Sequence, residues 1–398
     1  MVEEASLVAV ARHGATKYLS EQLDLLRQLC SIDSGTGNVA GNQQVIQLIK
    51  PYLVKLGAEV EEIVVEGLGT HLVAKVRPMN QSTEGKVILS AHLDTVFGEG
   101  LAAQYPFHTD EVFAHGLGVG DCKAGVLISL FGALILKEQD LLPNVELCFI
   151  FTCDEEIGSA SGQQVYAREA GNTDLALVFE GARKEGDKSL FVSSRKGVIV
   201  GSIEVKGREA HAGAAYLDGR SAVQELAHQI VRFYSFNDFE QGIYYNVSPI
   251  SGGRPNGVVA GNARGDFCVA GIRYNTQFAE IERQLMSLTE QVTVPDCQVS
   301  VSYHTLFPAM EPGTQNTSAY QRVAQAAQAL GMQTAEIGDD CATDAAYISI
   351  HGVPTIDALS AEEFDIHTLQ EKIRISSIEE RTALCAVVLG QLATLKVS

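Results

Sequence analysis

The chain has 398 residues, 46% of them hydrophobic and 20% charged, an ordinary globular balance with ample material for a core. Its length exceeds that at which single cores usually split, so two domains are the default expectation. A formal net charge of -20 argues against nucleic acid or an anionic membrane surface as partner, since both reward clustered Lys and Arg.

In chain order, the opening MVEEASLVAV carries Glu3 and Glu4 where a secretory leader carries basic residues, and it lacks a long apolar run. The expectation is a cytoplasmic protein. Segments 18–30 and 42–56 place apolar residues at helical spacing, and the valine-rich segments 59–65 and 71–76 suit strands. Short apolar runs at 86–90, 146–151 and 175–179 are of the kind that lie inside a doubly covered sheet. Helices over 125–137 and 161–170 separate them. The longest apolar stretch, 124–136, falls short of the roughly 20 residues that cross a bilayer, and its flanks Lys123 and Lys137 fit a buried helix. This rhythm predicts an α/β domain with a largely parallel sheet covered by helices.

From about residue 194 the pattern changes. A strand (197–205), a helix (221–236), two strands (243–250 and 265–273), a helix (278–291) and a strand (298–303) follow one another. That β-α-β-β-α-β order predicts an inserted α+β, ferredoxin-like domain over 194–303, a lid inside a discontinuous catalytic domain of 1–193 and 304–398. The later chain returns to α/β material: a helix at 318–330, a Gly-Asp-rich loop, a helix at 344–350, a strand at 355–358 and a last helix from 378. The eight cysteines contain no CxxC and read as small buried hydrophobes. Cys148 and Cys153, five apart on a strand pattern, point to opposite faces.

The chemistry lies where acids and histidines fall against strand ends. His92 and Asp94 follow the run Val87-Ile88-Leu89, and residues two apart in an extended segment share a face, so Asp94 can hold the imidazole. Alone, that pair describes a satisfied surface contact better than a metal ligand. Asp121 ends the turn Gly116-Leu117-Gly118-Val119-Gly120. The turn superficially resembles a dinucleotide fingerprint, but an aspartate stands where the third glycine would open the helix. A carboxylate on so tight a turn can instead bridge two metal ions. A buried strand runs straight into Asp154-Glu155-Glu156, three acids whose repulsion cations would offset. Glu180 ends the next apolar run, and His367 comes late in the chain. Acids and histidines thus gather beyond strand ends, where open α/β sheets place their ligand sites.

At this point the sequence resembles the aminoacylase and glutamate carboxypeptidase family of dinuclear zinc metallopeptidases. The resemblance rests on SAHLDTV (90–96), GLGVGDCKAG (116–125), DEEIGS (154–159), FEGAR (179–183), GREAHAG (207–213) and FDIHT (364–368), in that family's order and over nearly the whole chain. Glu180, Ile272-Arg273-Tyr274 and Thr343-Asp344-Ala345-Ala346-Tyr347 are most similar to its bacterial glutamate carboxypeptidases. The resemblance implies a zinc-exopeptidase-like catalytic domain with two Zn2+ per subunit, Co2+ or Mn2+ also suiting such ligands. It implies that His92 and Glu180 hold one ion, Glu156 and His367 the other, and that Asp121 bridges them. Glu155 is implied as general base and Asp94 as the group orienting His92. His211 is implied as an oxyanion stabiliser reaching a partner's site in a homodimer formed through the lid. Arg273, Asn246 and Thr343 are implied as substrate-binding, the first two gripping a free carboxylate.

One stretch departs from that family. Gly338-Asp339-Asp340-Cys341-Ala342 replaces a run of glycines before Thr343-Asp344, and its two extra carboxylates would disfavour an anionic C-terminal side chain. Cys122 stands where Asp or Met is usual, and reads as a tolerated small side chain. The expected activity is hydrolysis of the amide next to a C-terminal amino acid, with glutamate one candidate, in a small peptide or N-acyl conjugate. An N-acyl amino acid deacylase or dipeptidase is the alternative. A catalytically inactive dimeric scaffold would have lost Glu155 or a ligand, and none is missing.

Overall fold

The computed structural model describes residues 4–78 and 85–392, so Glu3, one of the two acids at the start, lies outside the described residues. The chain divides into two compact units: Met1–Ser194 with Pro312–Asp339 and Thr343–Ser398, and Arg195–Glu311 with Asp340–Ala342.

The first unit is built on a six-stranded sheet in the order Glu59–Val65, Gly69–Val76, Glu146–Thr152, Lys86–His92, Leu175–Val178 and Thr355–Ile356. The first two strands join antiparallel, and the remaining four run parallel to one another. Lys86–His92 is buried along all but its first residue, as is Glu146–Thr152. Both faces are therefore covered, which is why these strands read as unbroken apolar runs rather than as alternation. Each large side chain so buried contributes ~1.5–3 kcal/mol.

The apolar helix spans Gly125–Glu138, as the sequence suggested; the segment Val119–Ala124 before it leaves helical geometry at Asp121 and Cys122, and the whole stretch is almost wholly buried in this unit. Every residue from Gly125 to Leu136 is buried, because helices Glu4–Cys30 and Ile375–Leu392 lie against it. A helix apolar all round is the mark of such a central position. The helix Glu4–Cys30 itself begins well before the expected residue 18, since Leu7, Ala11, Gly14 and Ala15 continue its buried stripe.

The second unit is an antiparallel sheet in the order Tyr244–Gly252, Asn262–Ile272, Gly197–Lys206 and Gln298–Phe307. Helices Ala222–Tyr234 and Phe278–Glu290 close its core through Leu226, Phe233, Ile281 and Leu285. The last strand runs on to Phe307, paired with Val198, so the unit ends near Glu311 rather than at 303. Two further expectations change. The Gly-Asp-rich loop begins only after a strand, Gln333–Asp339, which joins a small sheet with Lys188–Arg195. Six cysteines are buried, but Cys268 is half-buried and Cys341 is exposed.

Candidate metal centre

Strand register builds the site. His92 pairs with Thr152, and Ser90 with Val178, so Glu180, two residues on, comes level with His92 at the strand ends. The residues just beyond those ends, Glu155, Glu156 and Glu180, therefore share one edge with His92. The turn bearing Asp121 precedes the buried helix and lies over the same edge. Asp121 Oδ1 stands 2.8 Å from His92 Nε2, and its Oδ2 stands 3.0 Å from His367 Nε2. Glu180 lies 3.8 Å from the first imidazole and Glu156 3.3 Å from the second.

Each imidazole thus has the bridging carboxylate and one further acid. Donor atoms of His92, Asp121 and Glu156 lie within 4.8 Å of one another. Burial raises the pKa of Glu156, and lifts Glu180 to about 7. Glu156 Oε1 is buried with no hydrogen-bond partner among the described residues. Carboxylates held this close without a counter-charge are costly, and a pair of divalent cations fits the donor set. Cys122 Sγ also lies near His92 and Glu180. Its thiol donates to the Phe179 carbonyl oxygen at 2.9 Å, and burial pushes its pKa up, so it stands as a neutral packing group.

Asp94 meets the imidazole of His92 and holds a neighbouring turn as well. The Nδ1 of His92 meets the main-chain oxygen of Asp94 at 2.9 Å and its carboxylate only at 3.4 Å. The carboxylate also accepts from Thr36 Oγ1 at 2.6 Å and from the backbone N–H groups of Glu155 and Glu156 at 3.3 and 3.2 Å. Asp94 therefore positions the turn that carries both glutamates, and its backbone fixes the imidazole. Glu155 is buried beside this centre. Desolvation raises its pKa well above the usual carboxylate range; the cationic His92 opposes the rise, while Glu180, Asp344 and Asp121 add to it.

Three acids of the site were not legible in the sequence. Glu371 accepts from the N–H groups of Gly118 and Gly120 at 2.8 Å and of Asp121 at 3.1 Å, pinning the turn. Glu371→Ala leaves those three buried donors unpaired; we expect metal affinity to fall about 10–100-fold with a lowered Tm, read by calorimetric titration and melting. Unchanged metal affinity would remove Glu371 from this role. Asp344 is buried and accepts from Thr152, Tyr166 and Ser159, tying the segment after Thr343 to the strand end. Glu363 is the third. Burial, then the charges of Asp121, Glu180 and Glu371, raise its pKa well above normal. The signal for Glu371 was its place four residues after His367, in a stretch whose spacing suggested nothing.

Among the remaining expected residues, Thr343 is buried and its hydroxyl donates to Asp357 at 2.8 Å. In the second unit His211 is exposed, and its Nδ1 accepts from the N–H groups of Gly213 and Ala214 at 3.1 Å. That fixes the proton on Nε2, the tautomer an oxyanion donor needs. Asn246 and Arg273 are not brought together in one chain. Asn246 accepts from Tyr234 and pairs in register with Cys268, five residues from Arg273. That is about 16 Å along a strand. The two extra carboxylates of the departing loop are offset: Asp339 pairs with Arg183 and Asp340 with Lys196, each at 2.9 Å.

Ligation must displace protons. Hydrogen bonds to Asp121 and Glu156 raise His367 to about 10. Burial opposes a raised pKa at His92, but the charge of Glu180 and its other acidic neighbours prevail. The acids around them thus favour the protonated form of both imidazoles. Their ion pairs stabilise that state fully below the ordinary histidine range, and the contribution of His367 is lost as pH rises through about 10. Loading metal at pH 8 in weak buffer should release about two protons per chain from these rings. Release near zero would mean that both rings are already neutral before metal binds.

Residues 88–391 match Peptidase family M20/M25/M40. The chain is 27% identical to Carboxypeptidase G2 of Pseudomonas sp. (strain RS-16) over 379 residues, covering 94% of this chain and 89% of that protein. Its fold is similar to that of the M20 family metallo-carboxypeptidase Sso-CP2 from Sulfolobus solfataricus (TM-score 0.76, 14% identity, 94% of this chain and 100% of that one). It is similar also to aminopeptidase PepT from Bacillus cereus ATCC 10987 (TM-score 0.74, 20% identity, 94% and 99%).

Proposed function

The chain belongs to peptidase family M20/M25/M40, and on that premise we propose that it is a dinuclear zinc exopeptidase that hydrolyses the amide next to a C-terminal amino acid in a small peptide or N-acyl conjugate. The observation that carries this reading is Asp121, whose two oxygens each face one imidazole, with a further glutamate beside each ring. His92, Asp121 and Glu180 would hold one ion, and Asp121, Glu156 and His367 the other. Bound there, the cations polarise the scissile carbonyl and acidify water. Glu155, buried beside them, takes the proton of the attacking water and returns it to the leaving amine nitrogen.

His211 offers an Nε2–H suited to a developing oxyanion, and in our reading it serves the site of a partner copy in a homodimer formed through the lid. Arg273 is exposed and presents a planar fork suited to a carboxylate. The ion pairs that offset Asp339 and Asp340 remove the electrostatic objection to an acidic C-terminal residue, so glutamate stays among the candidate leaving groups. The 27%-identical carboxypeptidase supports C-terminal cleavage, and the aminopeptidase-like fold keeps a dipeptidase as the second reading.

The test is hydrolysis of dipeptides, N-acyl amino acids and folyl-glutamate by zinc-loaded protein, with a chelated control. Chelator-sensitive release of one amino acid is expected. A protein that binds two ions and cleaves none of these would overturn the exopeptidase assignment.

A further inference from the structure

Asp121, Glu156 and Glu180 have roles as ligands and Glu155 as base, which leaves one carboxylate at the centre without a role. Glu363 lies against the backbone on both sides of the bridging turn and the strand end. A Cβ placed on Gly181, next to Glu180, would sit 1.7 Å from Cδ and Oε2 of Glu363. A Cβ on Gly120, next to Asp121, would sit 2.9 Å from the Cβ of Glu363 and 3.2 Å from its Oε2. Only glycine at both positions leaves room for this carboxylate, so the seat fits it closely. Its Oε2 is fully buried and has no hydrogen-bond partner among the described residues. Arg183, the cation whose field reaches it, is ion-paired with Asp339 at 2.9 Å.

A buried carboxylate oxygen without a partner calls for a cation that arrives with the ligand. We propose that Glu363 receives the α-ammonium group of the substrate, which makes short peptides with a free amino terminus, rather than N-acyl amino acids, the preferred substrates. This rests on the exopeptidase reading and sharpens its substrate class. The geometry of a peptide supports it. When the residue on the amino side of the scissile bond is the N-terminal one, its nitrogen lies about 2.5 Å from the carbonyl carbon. Gly120 and Gly181, against which Glu363 packs, adjoin the ligands Asp121 and Glu180, so in our proposal a carbonyl held at that ion turns its ammonium toward Glu363. An acylated nitrogen is neutral there and leaves the oxygen unpaired, a penalty that discriminates strongly.

The experiment reads binding, so that it does not depend on turnover. Ala-Ala and N-acetyl-Ala-Ala are titrated calorimetrically into zinc-loaded Glu155→Gln protein, and into the same protein also carrying Glu363→Gln. The free dipeptide should bind at least about tenfold tighter in the first case, as a charge-assisted contact does, and within about twofold in the second, with the metal content unchanged. Equal binding of the two peptides by Glu155→Gln alone overturns the proposal without any variant at 363. So does a preference that survives Glu363→Gln, or a lost ion, which would make Glu363 a metal ligand. Failure of the exopeptidase reading appears separately, as wild-type protein that cleaves neither peptide.

Discussion

Glu155→Gln lowers kcat by about 10²–10⁴-fold, the usual weight of a positioned general base, and leaves both metal ions bound. Glutamine has the shape of glutamate, so the N–H of residue 155 still meets Asp94 and the turn that carries Glu156 keeps its place. What is lost is a proton acceptor in a site where water is scarce, Glu155 being 8% exposed. The ions still polarise the carbonyl in the variant, so KM should change little while kcat falls. Steady-state kinetics with metal analysis of the same sample decides it. Near-normal turnover would mean that another group moves the proton, and loss of an ion would mean that Glu155 is a ligand.

The second large effect is on metal itself. Asp121→Ala removes the carboxylate whose two oxygens face the two imidazoles, so neither ion would keep a full donor set. We expect affinity for both to fall by more than about a hundredfold, beyond what removal of an outer partner produces, and turnover to vanish with it. Chelation of wild-type protein should abolish activity in the same way, but stoichiometric zinc restores only the wild type. Metal binding also stabilises the folded state by mass action, so zinc should raise the Tm of the wild type and barely move that of Asp121→Ala. Two tightly held ions in the variant would show that the imidazoles belong to independent sites.

The clustering of His92, Asp121, Glu156, Glu180 and His367 was largely legible because its signal is local. A short apolar run that stops abruptly at His92, at Glu155 or at Glu180 marks a strand end, and parallel register brings such ends together whatever their separation in sequence. The partners that hold those ligands carry no such signal. Glu371 and Asp344 act through hydrogen bonds to segments far away in the chain, and no periodicity marks a polar residue in a loop. Glu363 was hidden because its importance lies in two glycines elsewhere. The fold misreadings have a similar cause. The helix Glu4–Cys30 was expected only from residue 18, yet the small residues Gly14 and Ala15 before it let it lie close to the buried helix. Asn246 and Arg273 were implied by resemblance alone, and within one chain the register places them apart.

The donors of the centre come from residues 92, 121, 156, 180 and 367, so the last of them is separated from the rest by the entire second unit. A ribosome making this chain has therefore released most of it before His367, in our reading a ligand of the second ion, is made. Until then a nascent chain holds Glu155 and four of the donors but cannot complete the pair. Peptide-cutting power is withheld from fragments, and a chain truncated anywhere before residue 367 is disarmed by its own topology.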